Sequence, residues 1–311
     1  YLRHCRDNGI APETFILRKS RSTTLNLGHF SLGSARARAL ATALGALPML
    51  QHLNLEDNRL SDADLGHLMA ALTVHPSLLS LDLSSNHPGK TSVPALCELV
   101  RSSAVLTRLS LAHCALGSQF TTELATAIEN NDSVTLLDLS HNNISPSAGV
   151  ALGAMLGNCE LEELDLSWNQ LGDGGVKPLC EVLGTNTGHL RWLNMAWNGI
   201  SSTGASHLGT MLDTNTKLAH LDLSNNSIDP RGAMVLSDGI DNNTTIMSLQ
   251  LNANPLGSDG CRAIMRAMRK ARDKPRSIGL MNCTMQSAMV FDPNAPAGKY
   301  SLDLKDPYQR V

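Results

Sequence analysis

Every 27 to 29 residues the chain returns to one pattern: an apolar residue, two positions, Leu, one position, Leu, two positions, Asn or Cys, one position and another apolar residue. It reads Leu50, Leu53, Leu55, Asn58, Leu60, then Leu106, Leu109, Leu111, Cys114, Leu116, then Leu161, Leu164, Leu166, Asn169, Leu171. The anchor position falls at Phe30, Asn58, Asn86, Cys114, Asn142, Asn169, Asn198, Asn226, Asn254 and Cys283. A period this regular restricts the chain to an array of stacked units, each burying its apolar face against its neighbours.

Within a unit, Leu-x-Leu alternates as a short strand does, with both leucines on the core face. The anchor Asn carries one acceptor and two donors, enough to satisfy backbone groups that stacking would otherwise bury unpaired. Cys114 and Cys283 can replace it as small weak donors; Phe30 cannot, so the first unit is atypical. After each turn comes a run of helical spacing, such as Leu65, Leu68, Met69, Leu72 or Val176, Leu179, Val182, Leu183. Ser34, Asp62, Ser118, Asp173, Ser202 and Ser258 stand ahead of such runs and read as helix N-caps.

Strand, Asn turn and full helix in about 28 residues resemble the ribonuclease-inhibitor-like leucine-rich repeat over residues 22–285. The resemblance implies an α/β leucine-rich repeat solenoid: a curved horseshoe of about ten repeats, parallel strands on the concave face and helices on the convex face. Residues 1–21 then form an N-terminal cap and residues 286–311 a C-terminal capping or docking tail. The run Leu221 to Asn226 (Leu-Asp-Leu-Ser-x-Asn) and the Asn-Pro-x-Gly at Asn254 to Gly257 are also similar to the leucine-rich repeat-containing protein 74 type.

No apolar run approaches the ~18 residues of a membrane span, and no secretory leader is visible, so the expectation is a cytoplasmic protein without membrane contact. Seven cysteines without paired spacing read as buried thiols. Sequons at Asn131, Asn225, Asn242, Asn243 and Asn282 fall where the repeat already demands polar residues. Residues 1–38 carry seven Lys/Arg against two Asp/Glu, residues 39–257 eight against 21, and residues 258–311 ten against five. The acidic middle repels phosphate backbones, which argues against nucleic acid as its ligand; the basic ends suit an acidic partner, such as a calmodulin-like groove or the surface of tubulin.

Two columns of strand-face residues follow from the register. The middle one, from Asn26 through Asp82, Asp138, Asp165 and Asp222 to Gly279, is polar and mildly acidic, which suits either a solvated strand face or an acidic site. The column before the anchor contains His113, His141, Trp168 and Trp197 in succession. Rungs ~4.8 Å apart would bring these rings together, with Trp192 on the neighbouring strand surface. Exposed aromatic clusters anchor interfaces; the competing reading is a self-covering turn. Two histidines in adjacent turns lack a third ligand of evident spacing, so no metal is expected.

The run 258–273 carries Arg262, Arg266, Arg269 and Lys270, more cations than a solvated helix end requires. Tyr300 and Tyr308 lie in a Pro/Gly-punctuated tail whose Asp-Pro and Pro-Tyr-x-Arg phrases are similar to tails of leucine-rich repeat proteins from ciliated and flagellated cells. No phosphate loop, dinucleotide fingerprint, nucleophile elbow or paired-cysteine metal motif occurs, and no cofactor is expected. The expectation is a non-enzymatic scaffold that binds other proteins in a multi-subunit cytoskeletal assembly, with a ciliary or axonemal setting. The alternative is a small-GTPase regulator of the Ran GTPase-activating type, which the repeat also resembles; Arg59 would be its arginine.

Overall fold

The computed structural model describes residues 2–7, 9, 22–270 and 277–283. Among the described residues, each of the first nine repeats contributes a three-residue strand and a helix, and the tenth its strand. The strands are β1 (Thr24–Asn26), β2 (His52–Asn54), β3 (Ser80–Asp82), β4 (Arg108–Ser110), β5 (Leu136–Asp138), β6 (Glu163–Asp165), β7 (Trp192–Asn194), β8 (His220–Asp222), β9 (Ser248–Gln250) and β10 (Ser277–Gly279). They form one parallel ten-stranded sheet in strict sequence order. The central leucines pair rung to rung, Leu25 with Leu53, Leu53 with Leu81 and onward to Ile278.

The helices are α1 (Leu2–Asp7), α2 (Gly33–Leu44), α3 (Asp62–Leu72), α4 (Ser92–Ser102), α5 (Gly117–Ile128), α6 (Gly149–Asn158), α7 (Gly172–Leu183), α8 (Ser202–Thr214), α9 (Pro230–Asn242) and α10 (Gly257–Lys270). A 3-10 turn at Pro146–Ala148 leads into α6. From α2 to α10 each helix packs on the next, and α1 touches α2. One continuous apolar core runs between sheet and helices from Leu25 to Cys283. Helices α8 and α9 pack closely enough that a Cβ on Gly239 would collide with the carbonyl oxygen of Gly209.

The anchor asparagines form the expected buried ladder, and each links two repeats. Asn142 Nδ2 donates to the Leu111 and Ser140 carbonyls, while its Oδ1 accepts the Cys114 and Leu116 amides. At the anchor plus two positions, Leu32, Leu60, Leu116, Ile144, Leu171, Ile200 and Ile228 each donate an amide to the next repeat's Asn. The equivalent residue facing Cys114 is Pro88, which has no N–H. Cys114 supplies only a thiol donor, to the Leu83 and Ala112 carbonyls. The missing acceptor therefore meets a missing donor.

A second set of buried asparagines secures the opposite ends of the strands. Asn131, Asn215 and Asn243 donate to carbonyls of the preceding repeat and accept the amides two and three residues ahead. These bonds explain two of the sequons, since the Asn131 and Asn243 side chains are buried.

The N-cap expectation requires correction. Among the described residues, Ser61, Ser201 and Asp229 are side-chain caps, with Ser61 and Asp64 forming a capping box. Ser34, Asp62, Ser118, Asp173, Ser202 and Ser258 lie inside the first helical turn. Several of them bond to the start of the next helix instead of their own. Asp62 accepts the Thr91 and Ser92 amides, and Asp173 accepts those of Ser201 and Gly204. Burial works to raise the Asp62 carboxyl, but the Ser92 and Thr91 amides outweigh it and hold the group at about 2.

All seven cysteines are free and buried. Burial pushes Cys97 and Cys159 up to about 11 and Cys114 to about 12, which suppresses their thiolates. Among the described residues no helix is long and apolar enough to cross a membrane. Tyr300, Tyr308 and the tail 286–311 lie outside the described residues, as do residues 10–21 of the expected cap.

Candidate docking surface

The residue before each anchor adopts left-handed backbone in all ten repeats, with φ running from 47° at Asp57 to 62° at His29. The ladder enforces this conformation. The amides of His113, His141, Trp168 and Trp197 donate to the carbonyls of Ser140, Ser167, Ala196 and Ser224 on the next rung. Asn225 and Asn282 fill the position with a residue type that tolerates left-handed backbone. For a bulky side chain the same conformation costs roughly 1–2 kcal/mol, yet four successive rungs carry aromatic rings.

Those rings stack. Centroids are 3.8 Å apart for His113–His141, 4.9 Å for His141–Trp168 and 4.2 Å for Trp168–Trp197, with interplanar angles of 18°, 14° and 16°. At roughly 0.5–1.5 kcal/mol per pair, stacking offsets much of the backbone strain. It leaves the indoles uncovered, however: Trp168 remains 41% and Trp197 43% exposed. Burial in the stack and the neighbouring His113 lower the His141 pKa, while Asp138 works to raise it. Trp192 opens β7 between Glu163 and His220, and among the described residues it makes no ring contact with this stack.

The acidic middle column has a structural duty. Oδ1 of Asp82, Asp138, Asp165 and Asp222 each accepts the amide two residues ahead, closing the turn that leads to the stack. Asn26, Asn54 and Asn194 do the same. Asn194 Nδ2 also donates to Asp165 Oδ2 at 3.0 Å. Burial pushes Asp165 up to about 6, opposed by its Ser167 hydrogen bond and reinforced by the charge of Asp138. Asp222 is raised by burial as well.

The other expected site residues stand apart from the stack. Arg262, Arg266 and Arg269 are exposed on α10 in the helix layer, where Arg262 pairs with Asp259 and Lys270 ends the helix. Arg59 is exposed with φ 52°, next to a cluster in which His29 Nδ1 meets Asp57 at 3.0 Å and Nε2 meets Glu56 at 3.8 Å. Among the described residues no group of three or more His, Cys, Asp or Glu is arranged to hold a metal ion.

Two structural roles were not recognised in the sequence, although their signals are present. The Asp or Asn three positions before the aromatic column, with Ser two residues later, is a turn signature. The phrases Asn131-Asp-Ser-Val, Asn215-Thr-Lys-Leu and Asn243-Thr-Thr-Ile mark the second asparagine set.

A family profile described as Leucine Rich repeat matches residues 46–68, 130–153, 157–180, 189–209, 214–237 and 242–265. Over 157 residues the chain is 34% identical to NACHT, LRR and PYD domains-containing protein 12 of Homo sapiens, covering 50% of this chain and 14% of that protein. Over 259 residues it is 28% identical to the ribonuclease inhibitor of Sus scrofa, covering 72% of this chain and 57% of that protein. The chain thus spans less than two thirds of either relative. Among solved structures, Leiomodin-1 Actin-Binding Site 2 superposes with a TM-score of 0.42 at 18% identity, covering 48% of this chain and 90% of that one.

Proposed function

We propose that this leucine-rich repeat protein, which has ribonuclease-inhibitor-like and NACHT-type homologues, is a non-enzymatic scaffold whose primary docking surface is the ring stack His113, His141, Trp168 and Trp197. The observation that carries the reading is the pairing of strain with exposure. Large rings occupy a backbone conformation that disfavours them, and the two indoles still present over two fifths of their surface to solvent. Exposed, pre-organised aromatic side chains bind at low entropic cost and form the hot spots of protein interfaces. The rigid ladder holds them without rearrangement.

The basic helix α10 is the second contact in this reading and takes an acidic partner, tubulin being one candidate. A cytoplasmic setting in a ciliary or axonemal complex is supported by the resemblance of the phrases around Tyr300 and Tyr308 to tails of leucine-rich repeat proteins from ciliated and flagellated cells. The test is affinity capture from a lysate of ciliated cells, comparing wild type with Trp168→Ala/Trp197→Ala and with Arg262→Glu/Arg266→Glu/Arg269→Glu. Axonemal proteins lost in the tryptophan variant support the whole reading. A partner set that both variants retain refutes the assignment of these surfaces.

A further inference from the structure

Resting on the reading of the ring stack as a docking surface, we propose that the stack and the carboxylates on the strands leading into it form one composite site for an extended polypeptide segment bearing arginine or lysine side chains. The outward positions of β5 to β8 hold Asp138, Glu163, Asp165 and Asp222 and no Lys or Arg. In sequence, Arg191 stands just before β7 and Lys217 three residues before β8, and Arg108 lies on the neighbouring strand β4.

The carboxylates and the rings share one electrostatic environment, because the charge of Asp138 acts on both His141 and Asp165. Asp165 carries its charge at a cost imposed by burial and by Asp138, and an incoming cation would relieve it. The neighbouring indoles offer the same cation a quadrupolar attraction of about 0.5–1 kcal/mol at an exposed site.

The spacing also fits. Asp138 and Asp222 are separated by three rungs of a parallel sheet, or about 14 Å. Cations at alternate positions of an extended segment, i, i+2 and i+4, span about 13–14 Å at the usual strand rise. A segment laid across the strands can therefore place its first and last cations over Asp138 and Asp222, with the middle one roughly 2 Å beyond the Asp165 rung and within reach of a long side chain, while its flank rests on the rings. Acidification weakens such a site. Asp165 takes up its proton near 6, and the His141 imidazole, held below its usual range by burial and by His113 and opposed in this by Asp138, gains charge beside the cation as the pH falls further.

The test is titration of the 311-residue chain with the capped hexapeptides (Arg-Ala)3, (Glu-Ala)3 and (Gln-Leu)3, read by tryptophan fluorescence and calorimetry. The variants are Trp168→Ala/Trp197→Ala and Asp138→Asn/Asp165→Asn, each first shown by circular dichroism to be folded. The expected result is saturable binding of (Arg-Ala)3 alone, weakened by salt and several-fold weaker at pH 5.5 than at pH 7.5. Each variant should lose at least tenfold. Equal affinity for the glutamate peptide, unchanged affinity in the aspartate variant, or no binding of any peptide would overturn the proposal. Binding of (Gln-Leu)3 alone, lost with the tryptophans, would overturn the cationic partner and leave the docking surface standing.

Discussion

Replacing Asn142 by alanine isolates what the anchor ladder contributes. The side chain is completely buried. It donates at 2.7 Å to the Leu111 carbonyl and at 3.0 Å to that of Ser140, and it accepts the Cys114 amide at 3.1 Å and the Leu116 amide at 3.2 Å. The Ser140 carbonyl keeps the His113 amide as a second partner, so its loss is mild. The Cys114 and Leu116 amides are left buried without an acceptor, at about 1–3 kcal/mol each. With the void added, the expected loss is about 3–5 kcal/mol, a large fraction of a typical domain's stability. Asn142→Cys copies the thiol donor seen at Cys114 but supplies no acceptor, so it should recover only about 1 kcal/mol of that loss. Urea unfolding followed by far-ultraviolet circular dichroism, with slopes compared to check cooperativity, measures both. An alanine cost below about 1 kcal/mol would refute the claim that the ladder satisfies the interior backbone.

Four further outcomes follow from specific contacts. Asp165→Asn keeps the acceptor for the Ser167 amide and removes a carboxylate raised by burial to about 6. Because the native state binds that proton more tightly than the unfolded chain, wild-type stability falls as pH rises from about 4 to about 6, and the variant should be about 1–2 kcal/mol more stable at pH 7.5. Asp62 is the opposite case. Its folded pKa is lowered to about 2, so its contribution is present above about 4 and lost as pH falls towards 2; Asp62→Ala should cost about 1 kcal/mol at pH 7 by uncapping α4, and chemical denaturation at the two pH values checks both. Gly239→Ala forces a Cβ against the Gly209 carbonyl and should cost about 2–4 kcal/mol, whereas Trp197→Asn exchanges stacking for an easier left-handed residue and should shift stability by less than about 1 kcal/mol, readable in thermal melts.

The array was legible because its period is written in residues whose role is dictated by geometry. Leu53 and Leu55 alternate as a strand must, and Asn58 is the side chain with donors and acceptor enough for a buried turn. Helix starts were displaced because capping was read within one repeat, whereas Asp62 and Asp173 serve the helix of the next. Such contacts, about 28 residues apart, leave no local spacing signal. The stacking of His113, His141, Trp168 and Trp197 follows from register alone, but their left-handed backbone does not, since residues of six types share that conformation across the ten repeats. The acidic column was ambiguous for a related reason: Asp165 closes a turn with one oxygen and accepts from Asn194 on the neighbouring strand with the other. Arg262, Arg266 and Arg269 cluster in sequence, yet α10 places them in the helix layer, away from the rings.

Photo-crosslinking from single positions tests the docking surface most directly. With p-benzoylphenylalanine introduced in cells at Trp197, at Val150, which is 71% exposed on α6, and at Arg266 on α10, the docking surface requires a discrete protein adduct from position 197 and none from position 150. Adducts from position 266 alone, or identical adducts from 197 and 150, would contradict it and leave the ring stack a self-contained device for closing four turns.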